Sequence, residues 1–401
     1  MKPGWRRVKF GDVVRLSKAR SQDPLADGIE RYVGLEHLEP GDLRIRSWGN
    51  VADGVTFTSV FKPGQVLFGK RRAYQRKVAV ADFAGVCSGD IFVLETKGVQ
   101  TLLPELLPFI CQTDAFFDHA VGTSAGSLSP RTNWKSLENF AINLPPVYFQ
   151  TKLVQLLSLA TNLISSHVDL TENARMLHRS FVDSFLAHGA NQLLFTKATP
   201  NLRAGWRYMK IEDLCSEIVD CLHRTPIYSI EGYPAIRTAD LDPGVIRVTS
   251  AQKVSFEEYL LQTSRLKPIS GDVLFSREGE RMGMAALVPD GVELCISQRM
   301  MHLRAKREIP ANLVMEYLNS SWVQRQILSF TTGSTAPHVN VRDVKEFRVP
   351  VPPDTDLVSF ASKCAEALAG YVEAKLRLES LILHTASLRE TLMKPIVESG
   401  T

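Results

Sequence analysis

An internal repeat dominates this sequence, because blocks of its first half return in its second half in the same order. Gly4–Trp5–Arg6 returns as Gly205–Trp206–Arg207, and the offset between matched blocks drifts only between about 201 and 211 residues. The other pairs are Lys9 with Lys210, Asp12 with Asp213, Phe61–Phe68 with Leu266–Phe275, Gly122–Ala125 with Gly333–Ala336, Asn133 with Asn340, Phe140 with Phe347, and Pro145–Pro146 with Pro352–Pro353. The duplication predicts two copies of one domain, each with a tryptophan in its core.

Each copy mixes strands with helices. Short β-branched and aromatic runs separated by turn residues predict strands, as at Gln65–Phe68, Lys77–Val80 and Asp90–Leu94. A helix is predicted over 104–117 and its counterpart over 311–330. A loop rich in glycine, serine and threonine follows, and then a last strand that ends at the double proline, because proline cannot continue a central strand.

A long helix is predicted after each double proline, over 150–189 and 355–395. Apolar residues recur at steps of three and four, which is the seam of a coiled coil. The seam residues are Leu153, Leu156, Ala160, Leu163, His167, Leu170, Ala174, Leu177 and Phe181, and then Leu357, Phe360, Cys364, Ala367, Tyr371, Ala374, Leu378 and Leu381. We expect Gly189 to end the first helix, Asp354 or Thr355 to cap the second, and Pro395 to stop it.

These patterns predict an α+β protein with two tandem β-rich domains, at 1–149 and 205–354, and a linker and a tail at 190–204 and 396–401. If the two long helices pair antiparallel, the direct repeat becomes an approximate two-fold arrangement with the domains at the ends of a paired-helix spacer. Such a spacer could set the distance between two short recognition elements on DNA.

The charge, the missing enzyme motifs, the cysteines and the lack of long apolar runs together exclude several classes of function. The formal net charge is +4, which permits a nucleic-acid partner without requiring one. No phosphate-binding loop, dinucleotide-binding glycine motif, zinc-protease motif or nucleophile elbow occurs. The six cysteines form no CxxC pair, so we expect free thiols in a reducing compartment. No apolar run is long enough to span a membrane, and the N-terminus has no signal-peptide core, so we expect a cytoplasmic protein.

Two segments look like enzyme motifs and depart from them. Asn143–Tyr148 is similar to the Asn-Pro-Pro-aromatic loop of adenine methyltransferases, but an extra leucine interrupts it. Pro289–Cys295 is similar to a metal-dependent nuclease core, but the expected lysine is missing and Pro-Asp-Gly indicates a turn. Neither segment predicts catalysis.

The whole pattern resembles the specificity subunit of type I restriction–modification enzymes. The residues that carry the resemblance are the Gly-Trp pairs at 4–5 and 205–206, Gly271–Phe275 with its weaker twin at 64–68, the glycine loops at 122–133 and 333–340, the double prolines and the heptad helices. The resemblance implies two target recognition domains held apart by two long antiparallel helices, with an approximate two-fold relation between them. Each domain would read half of a split, asymmetric double-stranded DNA sequence. It also implies a subunit without catalysis of its own, on which two methyltransferase subunits dock and bring S-adenosylmethionine for adenine N6 methylation. Two restriction subunits that use ATP and Mg can join such complexes.

The strongest candidates for DNA contact lie just after a strand of the first copy. Cations crowded at this density repel one another unless a polyanion or acidic neighbours compensate, and arginine can bind phosphates or the guanine edge. The candidates are Lys70, Arg71, Arg72, Tyr74, Gln75, Arg76 and Lys77. A solvated hairpin tip is the alternative interpretation.

Weaker candidates lie at matching places of the second copy and in the two glycine loops. Arg277 and Arg281 fall in a stretch of mixed charge that matches the first cationic segment, and Arg224 lies nearer the start of the second copy. The loops offer hydroxyls and amides suited to phosphate, from Thr123, Ser124, Ser127, Ser334, Thr335 and His338. Loops that simply pack on their own domains are the alternative.

Two other functions stay open from the sequence. The chain could be a fused methyltransferase or nuclease of unfamiliar type, which would transfer methyl groups or cut DNA without partners. It could also be a coiled-coil scaffold whose globular heads bind protein, which would confer no sequence preference on a methyltransferase partner.

Overall fold

The computed structural model describes residues 3–190, 202–279, 281–331 and 338–397. The chain divides into two compact units, one within Met1–Ser166 and Glu379–Thr401 and the other within His167–Leu378. Both unit boundaries fall inside long helices, so each unit combines one mixed domain with a segment of each long helix.

The first domain and the helix after it account for the elements up to residue 190. In chain order they are β1 Arg6–Lys9, α1 Phe10–Val13, β2 Val14–Leu16, β3 Arg31–Val33, β4 Gly49–Asn50, β5 Ser59–Phe61, β6 Val66–Gly69, β7 Val78–Val80, β8 Gly85–Cys87, β9 Ile91–Thr96, α2 Leu107–Cys111, α3 Asp114–Gly122, α4 Trp134–Leu137, β10 Ala141–Leu144 and α5 Val147–Ala190. Short 3₁₀ helices lie at Leu35–His37, Val51–Asp53, Ala73–Gln75 and Pro104–Leu106.

The second domain and its following helix begin and end with the same order of elements as the first and differ from it in between. The elements are β11 Arg207–Lys210, α6 Ile211–Leu214, β12 Cys215–Asp220, β13 Tyr228–Ser229, β14 Tyr233–Ile236, β15 Leu241–Asp242, β16 Val245–Ile246, β17 Lys253–Val254, α7 Phe256–Gln262, β18 Val273–Ser276, β19 Ala285–Leu287, β20 Cys295–Ile296, β21 Met300–Ala305, α8 Ala311–Asn319, α9 Ser321–Thr331, α10 Val341–Glu346, β22 Arg348–Val351 and α11 Asp354–Val397. A 3₁₀ helix lies at Thr238–Asp240.

The two domains share their sheet topology. The sheet ordered β2-β9-β6-β7 in the first domain corresponds to β12-β21-β18-β19 in the second, and all their pairings are antiparallel. A parallel pair also recurs, β3 with β8 and β14 with β20, but the strands around it differ between the copies. The duplication therefore extends to the fold, and the copies diverge in their second sheets.

The matched central strands are apolar along their whole length because both of their faces are buried. Val66 and Phe68 belong to one apolar cluster while Leu67 belongs to another, since successive side chains of a strand point to opposite faces. In the second domain Val273 and Phe275 join one cluster and Leu274 another. This explains why Phe61–Phe68 and Leu266–Phe275 are the easiest blocks to match in the sequence.

The glycine and double-proline motifs of each copy meet at the start of the long helix. The first strand of each domain pairs antiparallel with its last strand, β1 with β10 and β11 with β22. Gly4 has a φ of +76°, and a Cβ there would lie 2.9 Å from Cγ of Pro146. Gly205 has a φ of +83°, and its Cβ would lie 2.9 Å from Cγ of Pro353. Both positions therefore favour glycine for its conformation and its lack of a side chain.

The two long helices pack together within each unit. In the second unit the rings of Phe185 and Phe360 stack with centroids 3.6 Å apart. Arg175 and Tyr371 line one small cavity, so the partner residue numbers rise on one helix as they fall on the other. In the first unit Leu157 of α5 shares an apolar cluster with Met393 of α11. The helices are therefore antiparallel, as the family resemblance implied.

Several predicted boundaries were wrong. The helix predicted over 104–117 is split, because Thr113 accepts a hydrogen bond from Phe116 N–H and starts α3 as a new helix. The helix predicted over 311–330 breaks in the same way at Ser320, whose hydroxyl accepts from Val323 N–H. Side-chain caps of this kind begin helices wherever they occur.

The long helices also run further than predicted. Each has 44 residues, Val147–Ala190 and Asp354–Val397. Pro395 lies inside α11, which continues to Val397, and Gly189 lies inside α5. Met393, Ile396 and Val397 are buried in the apolar cluster of the first unit. That burial stabilises the last turn despite the backbone hydrogen bond that proline removes.

Candidate nucleic-acid interface

The cationic segment of the first domain is held in a strained conformation. It leaves β6 at Lys70, and Arg72 and Arg76 flank the short 3₁₀ helix Ala73–Gln75. Both arginines have positive φ, 52° and 58°, and Arg299 of the second domain has a φ of 68°. Within the described parts of the chain, these are the only residues besides glycine in that region. Backbone strain of this kind concentrates at functional sites.

The cationic segment and the glycine loop of the first domain lie together. Thr132 N–H donates to Lys70 C=O at 3.0 Å, and Arg72 N–H donates to Pro130 C=O at 2.7 Å. Arg71 and Arg131 form an antiparallel backbone bridge. Two candidate stretches about 60 residues apart in the sequence thus form one surface, which we call the recognition surface of the first unit: Lys70–Arg72 with Ser127–Thr132.

One carboxylate organises the arginines of this surface. Asp90 lies 2.8 Å from Nε of Arg131 and 3.3 Å from Nη1 of Arg71. Burial alone would raise the pKa of Asp90, but the hydrogen bonds and charges of Arg131 and Arg71 outweigh it and lower that pKa. Among the described residues, no carboxylate pairs with Lys70 or Arg72. The surface therefore carries more positive than negative charge, as an anion-binding surface requires.

The rest of the cationic segment is tied to its own domain. Arg76 pairs with Asp114 and lies 4.7 Å from the ring centroid of Phe117. Lys77 Nζ donates to Leu35 C=O at 2.7 Å. These two cations hold the segment in place.

The remaining candidates of the first domain differ in exposure. Tyr74 is exposed and Gln75 is half-buried. Thr123 and Ser124 donate to the C=O groups of His119 and Ala120 at the end of α3, and Ser127 is exposed in the loop. The two hydroxyls therefore finish a helix, and Tyr74 and Ser127 are the exposed candidates.

The second domain keeps the framework and changes the side chains. Val339 N–H donates to Arg277 C=O at 2.9 Å, and Glu278 and His338 form the backbone bridge that Arg71 and Arg131 form in the first domain. Glu278 thus replaces one bridging arginine and His338 the other. The two copies present different chemistry on the same scaffold.

Arg277 occupies a different environment from its counterpart Lys70. Its side chain is 8% exposed, with Nε 3.2 Å from Asp220 Oδ1 and Nη2 3.1 Å from Glu278 Oε1. Glu278 also lies 3.5 Å from Nε of Arg299. Because the Arg277 guanidinium is buried and paired with two carboxylates, it stabilises the structure beneath the surface.

The structure places the other second-copy candidates in ion pairs or at the surface. Arg224 donates to Glu258 at 2.9 Å, and Arg281 donates to Asp242 at 2.5 Å. His338 is exposed. Ser334 and Thr335 lie outside the described residues.

Four residues of these surfaces were missed from the sequence. Arg131 and Ser129 lay inside the predicted loop, but its length gave no sign that they face Arg71. Asp90 was assigned only to a strand, and Arg299 to no motif. A positive φ has no signature in a single sequence, which is why Arg299 had no signal to find.

The described residues contain no group of histidine, cysteine, aspartate and glutamate side chains arranged to hold a metal ion. The described cysteines are all buried and unbridged. None of the helices in the described ranges combines the length and apolar character needed to cross a bilayer.

Comparison with known proteins gives one match in sequence. The specificity subunit of the EcoDI type I restriction enzyme of Escherichia coli is 29% identical over 161 residues. The match covers 38% of this chain, which spans about a third (33%) of the length of that curated relative. No protein-family model matches the chain.

Solved structures match along almost the whole chain. The S subunit of the type I restriction–modification system of M. genitalium has a TM-score of 0.53 at 13% identity, over 99% of this chain and 97% of that chain. A structure of type I R-M complex assembly and conformational transition gives 0.49 at 18% identity, over 98% and 97%. The likeness to the M. genitalium S subunit confirms the expected fold. In sequence this chain is similar to the EcoDI specificity subunit, and in fold to the S subunit of a type I restriction–modification system.

Proposed function

We propose that this chain is the DNA sequence-specificity subunit of a type I restriction–modification complex. Each unit would read one half of a bipartite, asymmetric target in double-stranded DNA. The observation that carries the proposal is the shared backbone bridge with exchanged side chains, Arg71 with Arg131 in one unit and Glu278 with His338 in the other. One framework that presents different donors and acceptors suits two readers of different sequences.

The chemistry of the two surfaces supports different readouts. Arginine can bind phosphates or grip guanine O6 and N7 with two hydrogen bonds, and the first unit offers Arg71, Arg72 and Arg131. Glutamate can accept from the cytosine amino group, so Glu278 fits a base contact that the first unit lacks. Contacts to phosphates would position each unit, and contacts to base edges would specify the sequence.

In this proposal the chain performs no catalysis. Two methyltransferase subunits would dock on it and bind S-adenosylmethionine, and each unit would present DNA for adenine N6 methylation. ATP and Mg would belong to restriction subunits where these join. The absence of catalytic motifs from the sequence supports this division of labour.

Mapping methylated adenines tests the proposal. The chain would be expressed with its methyltransferase subunit in a host that lacks N6-methyladenine, and genomic DNA would be sequenced at single-molecule resolution. We expect methylation at one split, asymmetric motif, and none when the chain is omitted. Replacing residues 1–149 by the same domain of a relative should change one half of the motif only.

Three outcomes contradict the proposal. Methylation that follows no motif, or a motif that survives omission of the chain, would favour a scaffold with protein-binding heads. Methyl transfer by the purified chain alone would make it an enzyme.

A further inference from the structure

The loop of the recognition surface of the first unit ends in an exposed leucine. Leu128 is 91% exposed, the second-highest exposure among the large apolar side chains described. It lies between Ser127 and Ser129, after Gly126, whose φ of +109° turns the chain. A single exposed leucine is ordinary on protein surfaces, so its meaning depends on what surrounds it.

The loop that carries Leu128 is anchored on both sides. Ala125 and Arg131 exchange both backbone hydrogen bonds, at 3.0 and 2.9 Å. Ser129 Oγ accepts from Arg71 Nη2 at 3.1 Å and from Arg72 Nη2 at 3.3 Å. The tip therefore projects from an anchored base, so binding would cost little further conformational entropy in this loop.

The residues of the tip have no counterpart in the sequence of the second copy. Ala125 and Pro130 match Ala336 and Pro337 of the second copy, which are adjacent in the sequence. The residues between the matched pair, 126–129, are therefore an insertion in the first copy, and Leu128 lies in it. The side chains of this surface already differ between the copies, and the insertion adds a further difference. The two copies could therefore differ here in the DNA sequence that they read.

Arginines surround the base of this tip. Arg71, Arg72 and Arg131 lie at or beside the backbone bridge, and Asp90 balances only part of their charge. A cluster of arginines with this excess of positive charge attracts a polyanion, whereas a protein partner of ordinary composition has no special affinity for it. Proteins that bind the minor groove combine these features, with arginines along the backbone and an apolar wedge between base pairs.

We propose that Leu128 is a wedge that enters a base step from the minor groove, in the half-site read by the first unit. Its side chain would partly unstack the two base pairs and bend the duplex, while the neighbouring arginines bind the flanking phosphates. The half-site would then be read partly by how easily that step deforms, and pyrimidine–purine steps deform most easily. This inference rests on the proposed function.

Base unstacking can be measured with 2-aminopurine, whose fluorescence rises when it leaves the stack. The duplex would carry the mapped motif, with the probe at successive positions of the half-site assigned to the first unit. The methylated adenine is left out because the methyltransferase itself extrudes that base. With the assembled wild-type complex, we expect a several-fold rise at one step.

The variants separate a wedge from a general surface effect. Leu128→Ala should abolish the rise and weaken DNA binding about tenfold, the order of one lost specific contact. Leu128→Met keeps an apolar side chain and should retain both. Val99→Ala is the matched control, because Val99 is exposed in a loop beyond the opposite end of β9 from Asp90. It should change neither quantity.

The proposal is overturned if no step shows the rise, or if Leu128→Ala leaves it unchanged. It is also overturned if Leu128→Ala weakens binding of the methyltransferase subunit without DNA, because the tip would then be a protein contact. Failure of the proposed function looks different, since the wild-type complex would then show no split motif.

Discussion

The carboxylate of Asp183 accepts a hydrogen bond from the backbone N–H of Ser321, the first residue of α9, at 2.9 Å. The first unit repeats the arrangement, since Glu390 accepts from the N–H of Asp114, the first residue of α3, at 3.1 Å. In each unit a carboxylate on one long helix thus accepts a hydrogen bond from a backbone N–H in the first turn of a shorter helix. Such an N–H has no acceptor within its own helix. The carboxylate also suits the positive end of the helix dipole.

Asp183→Ala should therefore destabilise the second unit by about 1 kcal/mol, the usual cost of losing a helix cap. Urea unfolding of the full chain measures the change. Glu172→Ala is the matched control, because Glu172 is an exposed carboxylate on the same helix that pairs with Arg175. Exposed pairs contribute little, so its effect should be near zero. Equal losses in both variants would refute the capping role.

Two glycines inside long helices should respond to alanine in opposite directions. A Cβ on Gly189 would overlap the indole of Trp206, so Gly189→Ala should cost about 1–3 kcal/mol through overpacking. Nothing lies within 4 Å of a Cβ on Gly370, so Gly370→Ala should stabilise by roughly 0.5–1 kcal/mol. Thermal unfolding should show the two melting temperatures on opposite sides of wild type. A Gly189→Ala variant that melts at or above the wild-type temperature would show that the Trp206 indole does not pack tightly against Gly189.

Asp272 should give the second unit an acid-sensitive stability. It lies 2.6 Å from Nε2 of His302 and 2.8 Å from Nε of Arg304. Burial alone would raise the pKa of Asp272, but the hydrogen bonds from Arg304 and His302 outweigh it and lower that pKa to about 2. A carboxyl with a lowered pKa stabilises the fold above its ordinary value of 3.8, and this stabilisation disappears as the pH falls towards 2.

Asp272→Asn should consequently cost roughly 3 kcal/mol at pH 7, the order observed when one partner of a buried pair is removed. The difference from wild type should shrink as the pH falls from about 4 to about 2. Urea titrations across this range measure it. Glu293→Gln, which removes an exposed partner of Lys267, is the control and should track wild type. A difference independent of pH would contradict the assignment.

The recognition surface of the first unit should contribute to the salt dependence of DNA binding. Arg71→Ala combined with Arg72→Ala should weaken binding by the assembled complex. Each lost phosphate contact reduces the slope of log K against log salt by about 0.9. Arg15→Ala combined with Lys62→Ala is the charge-matched control, because both residues surround Glu95 at the other end of β9. An unchanged slope in the first double variant would exclude this surface from the DNA footprint.

The sequence by itself determined the features that depend on local pattern. The matched blocks predicted two copies of one fold, because equivalent strings of apolar and turn residues form equivalent elements. The three–four spacing predicted the long helices, whereas their antiparallel pairing was implied only by the family resemblance. Boundaries such as Pro395 were less predictable, since burial of Met393 and Ile396 outweighs the local preference.

Only the tertiary structure decided which side chains meet. Lys70–Arg72 and Ser129–Arg131 are far apart in the chain, and packing of the loop against the end of β6 brings them together. The sequence predicted Arg277 to be a surface cation, but the structure buries its side chain beside Asp220. Contacts between residues distant in sequence depend on how whole elements pack. Burial and charge pairing follow from that packing, and no local pattern of residues encodes them.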